Sequence, residues 1–446
     1  MFPFSFISGG IDAAAAAYFA ATGITGFTEQ SAVNNLVKGL KADGVWNKMK
    51  AVYPFVTDNR NLWSYTNDVT AGNWVKSGFT ATANTTTAPD GTTTADTLTE
   101  NTSGGNHYIS NQSSSIALSN GNCTMSIYVK KIVRDWFVVS LFDGTTGRNA
   151  WFNINTGTIG TVQSGATASI SNEGNGWYRC SITMPMSASN VNFTAYYGAD
   201  ADNSVVYTGN GVASYYVWGA QLEIGSLSAY QPIATTRQAY IANQFKFNLI
   251  NPLDTDAAFR LVFNGGWTHS SNGATPNGTN GFADTKLNPF LALINNNYHL
   301  SHYSRTQKIT GNEVDLAVVD TTRMIGVAQY YGNIPAKAFV AGDYTSSQIL
   351  VNNTNTLGLL VGTRTSQTLA RMFMNSAQVG SDLTLSNPNT LPNRFLYLGS
   401  NNNGVSYEFS SKQVAFSSIG DGLTNTEAYN LYTRVQAYQT ALNRQV

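Results

Sequence analysis

Charge is scarce in this chain. Of 446 residues only 11% are Asp, Glu, Lys or Arg, and the 25 basic residues balance the 25 acidic ones. Typical soluble domains carry roughly 25% charged residues. Without a basic excess or stripe, the composition argues against a nucleic-acid surface. Cysteine is nearly absent. Cys123 and Cys180 are too few for a disulfide framework, and no CxxC spacing marks a metal finger. Both stand in strand-like stretches with apolar neighbours at i+2, which reads as two buried thiols; a bridge between them stays open. Long apolar runs are missing too. The most apolar stretch, residues 13–27, is Ala-rich and shorter than the ~20 residues a membrane span needs. The opening MFPFSF lacks the basic region and apolar core of a secretory signal, so none is expected. There is no GxSxG, P-loop or GxGxxG. Among the four histidines, His299 and His302 stand at i, i+3, but no Cys or acidic companion supports a metal reading.

What is present is apolar and aromatic: 42% hydrophobic and 12% Phe, Trp or Tyr. Such a chain folds, and its surface must be built from Asn, Thr, Ser, Gly and Gln. Residues 1–58 read as helical. Asp12 is placed to cap an Ala-rich helix and Thr28 to cap a second. Ala32, Val33, Leu36, Val37 and Leu40 recur at helical spacing, Asp43-Gly44 interrupts, and Val45, Trp46, Met49 and Tyr53 continue the pattern to Pro54. This stripe either packs on its own chain or anchors the protein to a larger assembly.

Residues 59–236 alternate apolar and polar in short runs between Gly, Asn, Asp and Thr clusters. Asp143-Gly144 and Asn155-Thr156-Gly157 read as hairpin turns, and the Thr-rich stretch 81–96 as a polar edge strand or loop. The run of short strands fits a two-sheet jelly roll. Residues 237–446 are again mostly β. A strand is expected over 258–263, a long loop over 265–285, and further strands near 313–319, 323–330, 336–341, 357–362, 369–374, 394–399 and 412–418. A final helix is expected behind Thr424, with Leu431, Val435, Tyr438 and Leu442 on one face. The expected fold is therefore mainly β: two β-sandwiches, a jelly roll and a concanavalin/laminin-G-like one, with a short helical N-terminal segment and a C-terminal helix.

Two sets of motifs carry a resemblance. The first runs NLWSYTNDVTAGNWVKSG, TAPDGTTTADTLTE, NHYISNQ, TMSIYVKK, GNGWYRCS and VWGAQLEIGSLSAYQPI. In this order they resemble a carbohydrate-binding-like jelly-roll module that recurs in tailed-phage virion proteins. The second frames it: IDAAAAAYFAATGITGFTEQSAVNNLVKGLKADGVWNKMKAVYPFV, then FKFNLINPLDTDAAFRLVFNGGWTHSSNGATPNGTNGFADT, and finally VQAYQTALNRQV. This frame resembles structural proteins of phages of Bacteroidetes-type bacteria, with 59–236 as an insertion. The resemblance implies a virion component made in the host cytoplasm, present in repeated copies beside other virion proteins and displaying a glycan-binding module towards cell-surface glycans. It implies no enzyme activity, membrane or nucleic acid. A secreted or surface glycan-binding or glycan-degrading bacterial protein is the alternative; a purely architectural subunit is a third.

Site residues follow from chemistry. Sugar rings stack on exposed aromatics, so each aromatic is weighed against burial. Trp74 and Trp218 read as core. Trp136 and Trp151 flank the hairpin FDGTTGRN, Tyr108, Tyr196, Tyr197 and Tyr207 lie near polar loops, and Trp267 lies in the long loop with His269. Trp136, Trp151, Tyr108, Tyr196, Tyr197 and Trp267 are thus the glycan-binding candidates. In WYRCSITMPM, period two turns Tyr178, Cys180, Ile182, Met184 and Met186 to the core and leaves Trp177 covered by the turn or exposed beside Arg179. A glycosidase needs paired carboxylates; Asp96, Glu100, Asp135, Asp143 and Glu223 show no pairing motif. No cofactor is expected beyond a structural calcium, for which Asp68 and Glu223, near the two ends of the module, are the candidates.

Overall fold

The computed structural model describes residues 10–112, 121–142, 145–186, 194–321, 323–332, 336–343, 347–352, 354–385 and 390–446. The expected turn at Asp143-Gly144 lies outside them. The chain is mainly β and divides into two compact units: Asn59–Tyr240, and Met1–Asp58 together with Ile241–Val446.

The unit Asn59–Tyr240 is a jelly-roll sandwich of two six-stranded sheets. One has the order Thr158–Val162, Gly147–Asn153, Trp136–Phe142, Ala195–Ala199, Tyr108–Asn111, Trp74–Ser77. The other runs Thr167–Gly174, Trp177–Met186, Gly121–Lys131, Ala213–Ile224, Ala95–Glu100, Phe79–Thr86. Every pairing in them is antiparallel. The Thr-rich stretch is the edge strand Phe79–Thr86 plus a loop, where its polar side chains face water. Between the sheets lie Cys180, Ile182, Met184 and Met186, with Tyr178 packed against them, as alternation requires. Cys123 and Cys180 are both free. Cys180 faces Ile127 across the ladder and Cys123 faces Met184, so the sulfurs stand about 13 Å apart along the strands.

The second unit is a layered sandwich. A nine-stranded sheet is centred on Val414–Gly420, Tyr298–Ser304 and Gly358–Ser366, and a seven-stranded sheet on Leu316–Asp320, Arg323–Tyr331 and Ala336–Asp343. The sheets approach closely where Gly362 meets the Phe339 ring; a Cβ there would stand 2.1 Å from the ring. Arg364 ties them by donating to the Ala341 carbonyl at 3.0 Å. The helices Ala13–Thr22, Phe27–Ala42 and Asn425–Ala441 bury their apolar stripes against Tyr303, Val361, Phe373 and Phe416 of the larger sheet. The N-terminal stripe is thus used inside its own unit.

Local expectations hold at the caps of the first and last helices. Asp12 caps the first, and Thr424 forms a reciprocal capping box with Glu427. Elsewhere tertiary contacts override local pattern. The second helix begins at Phe27 rather than behind Thr28, because the Asp58 carboxylate accepts from the Thr25 and Gly26 N–H groups at 3.1 and 3.0 Å. Past Gly44 the apparent helical pattern is a 3-10 turn and then the strand Met49–Tyr53, recruited by pairing with Val414–Gly420. The expected strand over 258–263 starts at the end of a 3-10 turn, Asp256–Ala258, and is a strand only from Val262 to Asn264. The expected long loop holds the hairpin Trp267–Ser270/Gly273–Pro276 and the strand Phe282–Asp284. A helix over Arg237–Phe245, which buries Ile241, Gln244 and Phe245, is not among the elements expected from the sequence.

Candidate functional site

In a sheet, every second residue faces one side and directly opposed residues form rows across the strands. On the sheet that contains Trp136, the side turned away from the core carries one such row. Trp151 opposes Val138, Val138 opposes Tyr197, Tyr197 opposes Tyr108, and Tyr108 opposes Ser77. Trp136 lies on the same side, one pleat along, opposite Ala199 and Asn153. The structure therefore brings Trp151, Tyr197, Tyr108 and Trp136 together on one face.

Their exposure differs. Trp151 is buried and donates its indole N–H to the Ser204 carbonyl at 2.8 Å. Asp202 pins that loop to the edge strand, accepting from the Thr161 N–H at 2.8 Å and its hydroxyl at 3.0 Å. Trp136 is half-buried against Gly160, with no room for a side chain there. Tyr108 and Tyr197 are the half-buried, presented rings, with centroids 5.5 Å apart and planes tilted by 51°. Burial, and secondarily the neighbouring Tyr108, raises the Tyr197 phenol above its ordinary range, so it stays a neutral donor. The adjacent row on this side pairs a half-buried Asn149 with a buried Ser140. The site is thus a tyrosine platform with Trp151 tucked underneath a loop and Trp136 half-buried against the edge strand.

The opposite outer face is closed. There Trp177, Trp218 and Tyr128 pack with Ala88 and Ala95. Trp177 donates to the Thr87 carbonyl at 3.1 Å, so it is covered rather than exposed. Arg179 lies over the Tyr128 ring and donates to the Ser228 carbonyl.

The remaining candidates are structural. Tyr196 points into the core and donates to the Ser126 carbonyl at 2.7 Å; its odd position relative to Tyr197 puts it on the other side of the strand. Tyr207 is buried, donating to Glu100 at 3.0 Å under the Arg134 guanidinium. Trp267, in the other unit, spends its N–H on the Asn264 and Phe282 carbonyls and packs edge-on against Phe263. His299 and His302 do not meet at one site. His299 bonds the Asp421 carbonyl and Ser418, whereas His302 lies 3.9 Å from Asp315.

The carboxylates are likewise engaged. Asp68 accepts from the Thr70 N–H and hydroxyl, and Glu223 is buried, accepting from Gln221 and the Ser228 N–H. They serve separate networks, and the cation beside Asp68 and Asp96 is the Lys76 ammonium. Among the described residues no group of three or more His, Cys, Asp or Glu is placed to hold a metal ion. Asp96 accepts from the Val69 and Asn84 N–H groups, Glu100 pairs with Arg134 at 2.7 Å, and Asp135 pairs with Lys131 at 2.5 Å.

Comparison with family models gives no match, and comparison with curated proteins gives none. Among solved structures, the chain is similar to the CBM22-1 xylan-binding domain from Paenibacillus barcinonensis Xyn10C, at 14% identity and TM-score 0.20, covering 40% of this chain and 96% of that one. Mouse laminin alpha1 chain, domains LG4-5, is similar at 10% identity and TM-score 0.25, covering 69% and 85%. The CBM22-1-CBM22-2 tandem domain from Xyn10C is similar at 12% identity and TM-score 0.23, covering 81% and 96%.

Proposed function

We propose that the protein is a non-catalytic glycan-binding protein whose module Asn59–Tyr240 takes a polysaccharide on the face that presents Tyr108 and Tyr197. The observation that carries this reading is the row Trp151–Val138–Tyr197–Tyr108, which aligns aromatic side chains across successive strands on one solvent-side face. A platform of two tyrosines offers apolar area for a sugar ring and hydroxyls at its rim. Such a site is weak alone and becomes useful in many copies. That supports the virion setting which the sequence resemblance suggests, with the module displayed outward, other virion proteins as partners and several copies on one particle. A secreted or surface bacterial protein uses the same face, and mass spectrometry of purified phage particles separates the two settings.

The test of the binding site is affinity electrophoresis of the purified chain on a panel of soluble polysaccharides. Replacing both Tyr108 and Tyr197 with Ala is expected to weaken retention about tenfold or more, since each ring contributes on the order of 1 kcal/mol beyond area burial. No retention on any polysaccharide, or equal retention of the double variant, overturns the reading.

A further inference from the structure

A cavity of about 470 Å³ lies in the second unit, on the seven-stranded sheet. Alternation shows which side it occupies. Phe339 packs on Gly362 of the other sheet, and Gln329 donates to the Gly358 carbonyl there. Their neighbours along the strands, Gly326, Ala328, Ala338 and Val340, therefore turn outward, and all of them line the cavity. The ladder sets these in register: Gly326 opposes Val340, and Ala328 opposes Ala338. A patch of the smallest side chains on neighbouring strands makes a depression in a sheet face.

One wall is polar and already organised. The hairpin Asn401–Asn402/Ser406–Tyr407 stands beside the depression. Asn401 donates its amide to the Tyr407 hydroxyl at 2.7 Å and reaches the Glu408 carboxylate at 3.4 Å. Tyr331 donates its hydroxyl to the other Glu408 oxygen. Asn403 is exposed at the rim. Among the described residues, the lining carries one carboxylate and no cationic side chain.

We infer that this cavity is a second binding site, for a neutral saccharide of one or two rings. The apolar face of the ring would lie on Gly326, Ala328 and Ala338, and its hydroxyl edge would donate to Glu408 and Asn403. The volume lies within the range of small-molecule sites, which combine an apolar lining with a few placed polar groups. The unopposed carboxylate selects against anionic sugars and fatty acids by repulsion. This site is separate from the tyrosine face of the module and does not rest on it.

The experiment uses the full chain carrying Tyr108→Ala and Tyr197→Ala, so that the module's face is silent. Neutral monosaccharides and disaccharides are titrated by ligand-observed NMR, with glucuronate and decanoate as the anionic and aliphatic controls. Saturable binding of a neutral sugar is expected, with both controls about tenfold weaker or more. Ala338→Phe, which fills the floor from its outward position, is expected to weaken it about tenfold, and Glu408→Gln, which preserves the shape of the wall, several-fold. Absence of saturable binding, tighter binding of either control, or unchanged binding in both cavity variants overturns the inference.

Discussion

Several side chains change meaning once their surroundings are known. Tyr196 and Tyr197 are adjacent in sequence, yet one is a core residue and the other a platform. Tyr196→Phe is expected to leave glycan retention unchanged and to lower stability by about 1 kcal/mol, the usual net value of a buried hydrogen bond; urea unfolding measures it. His302 is buried with neither ring nitrogen hydrogen-bonded, and burial pulls it down to about 4, as it does His269 and His299. Between pH 6.5 and 4 the unfolded imidazole binds a proton that the folded one refuses. The stability these residues hold above pH 6.5 is therefore lost as pH falls through that window. Each costs on the order of 2 kcal/mol by pH 5. His302→Leu is expected to flatten the acid limb of a melting-temperature profile; an unchanged slope would show that His302 does not titrate with unfolding.

Among the elements, the C-terminal segment has a role its composition does not announce. Arg444 is buried over the Tyr438 ring. It donates to the carbonyls of Phe55 at 2.6 Å, Pro54 at 2.8 Å and Ala415 at 3.0 Å. Pro54 and Phe55 form the stretch just before the chain leaves for the module. Across the insertion, Asn248 accepts from the Val52 N–H at 2.9 Å and donates to the Lys50 and Ala258 carbonyls. One arginine and one asparagine thus fasten the two chain crossings of the unit. Arg444→Ala leaves buried carbonyls without donors and is expected to cost on the order of 3 kcal/mol or more. Chemical unfolding followed by fluorescence reads this, and a cost below about 1 kcal/mol would mean that water replaces the guanidinium.

The molecule as a whole consists of a helix-backed sandwich interrupted by a jelly roll. The ends of the jelly roll are tied locally: Arg237 reaches Asn59 and the Asn61 carbonyl, and Gln231 accepts from the Asn61 N–H at 2.9 Å. Each unit has its own core. Replacing 59–240 with a short flexible linker is expected to leave the remainder folded, with far-UV dichroism of a helix-backed sandwich and one calorimetric transition instead of two; an unfolded product would show that the units depend on each other. Their acid responses should differ. The unit with His269, His299 and His302 weakens below pH 6.5. In the module, burial lifts Asp96 to about 6, so the folded state binds the extra proton between pH 6 and 4 and this contribution to stability rises as pH falls. Calorimetry at pH 7 and pH 5 is expected to move the two transitions in opposite directions.

Patterns with a short range were readable from residue order. Period-two alternation placed Cys180, Ile182, Met184 and Met186 inside, and the Thr424 cap and the Asn155-Thr156-Gly157 turn were local chemistry. These features depend on neighbours a few positions away. What depended on distant partners was not readable. Met49–Tyr53 is a strand only because Val414–Gly420 stands beside it. Trp151 is hidden by the segment around Ser204, 53 positions further along the chain. Tyr108 and Tyr197 share a platform because the ladder sets residues 89 positions apart in register. The small-residue floor of the second cavity likewise has no contiguous signature, since Gly326, Ala338 and Glu408 come from separate strands and a loop. A sheet assembles its faces from remote stretches, so composition and period decided the class of fold, while strand pairing decided which aromatic residues reach solvent.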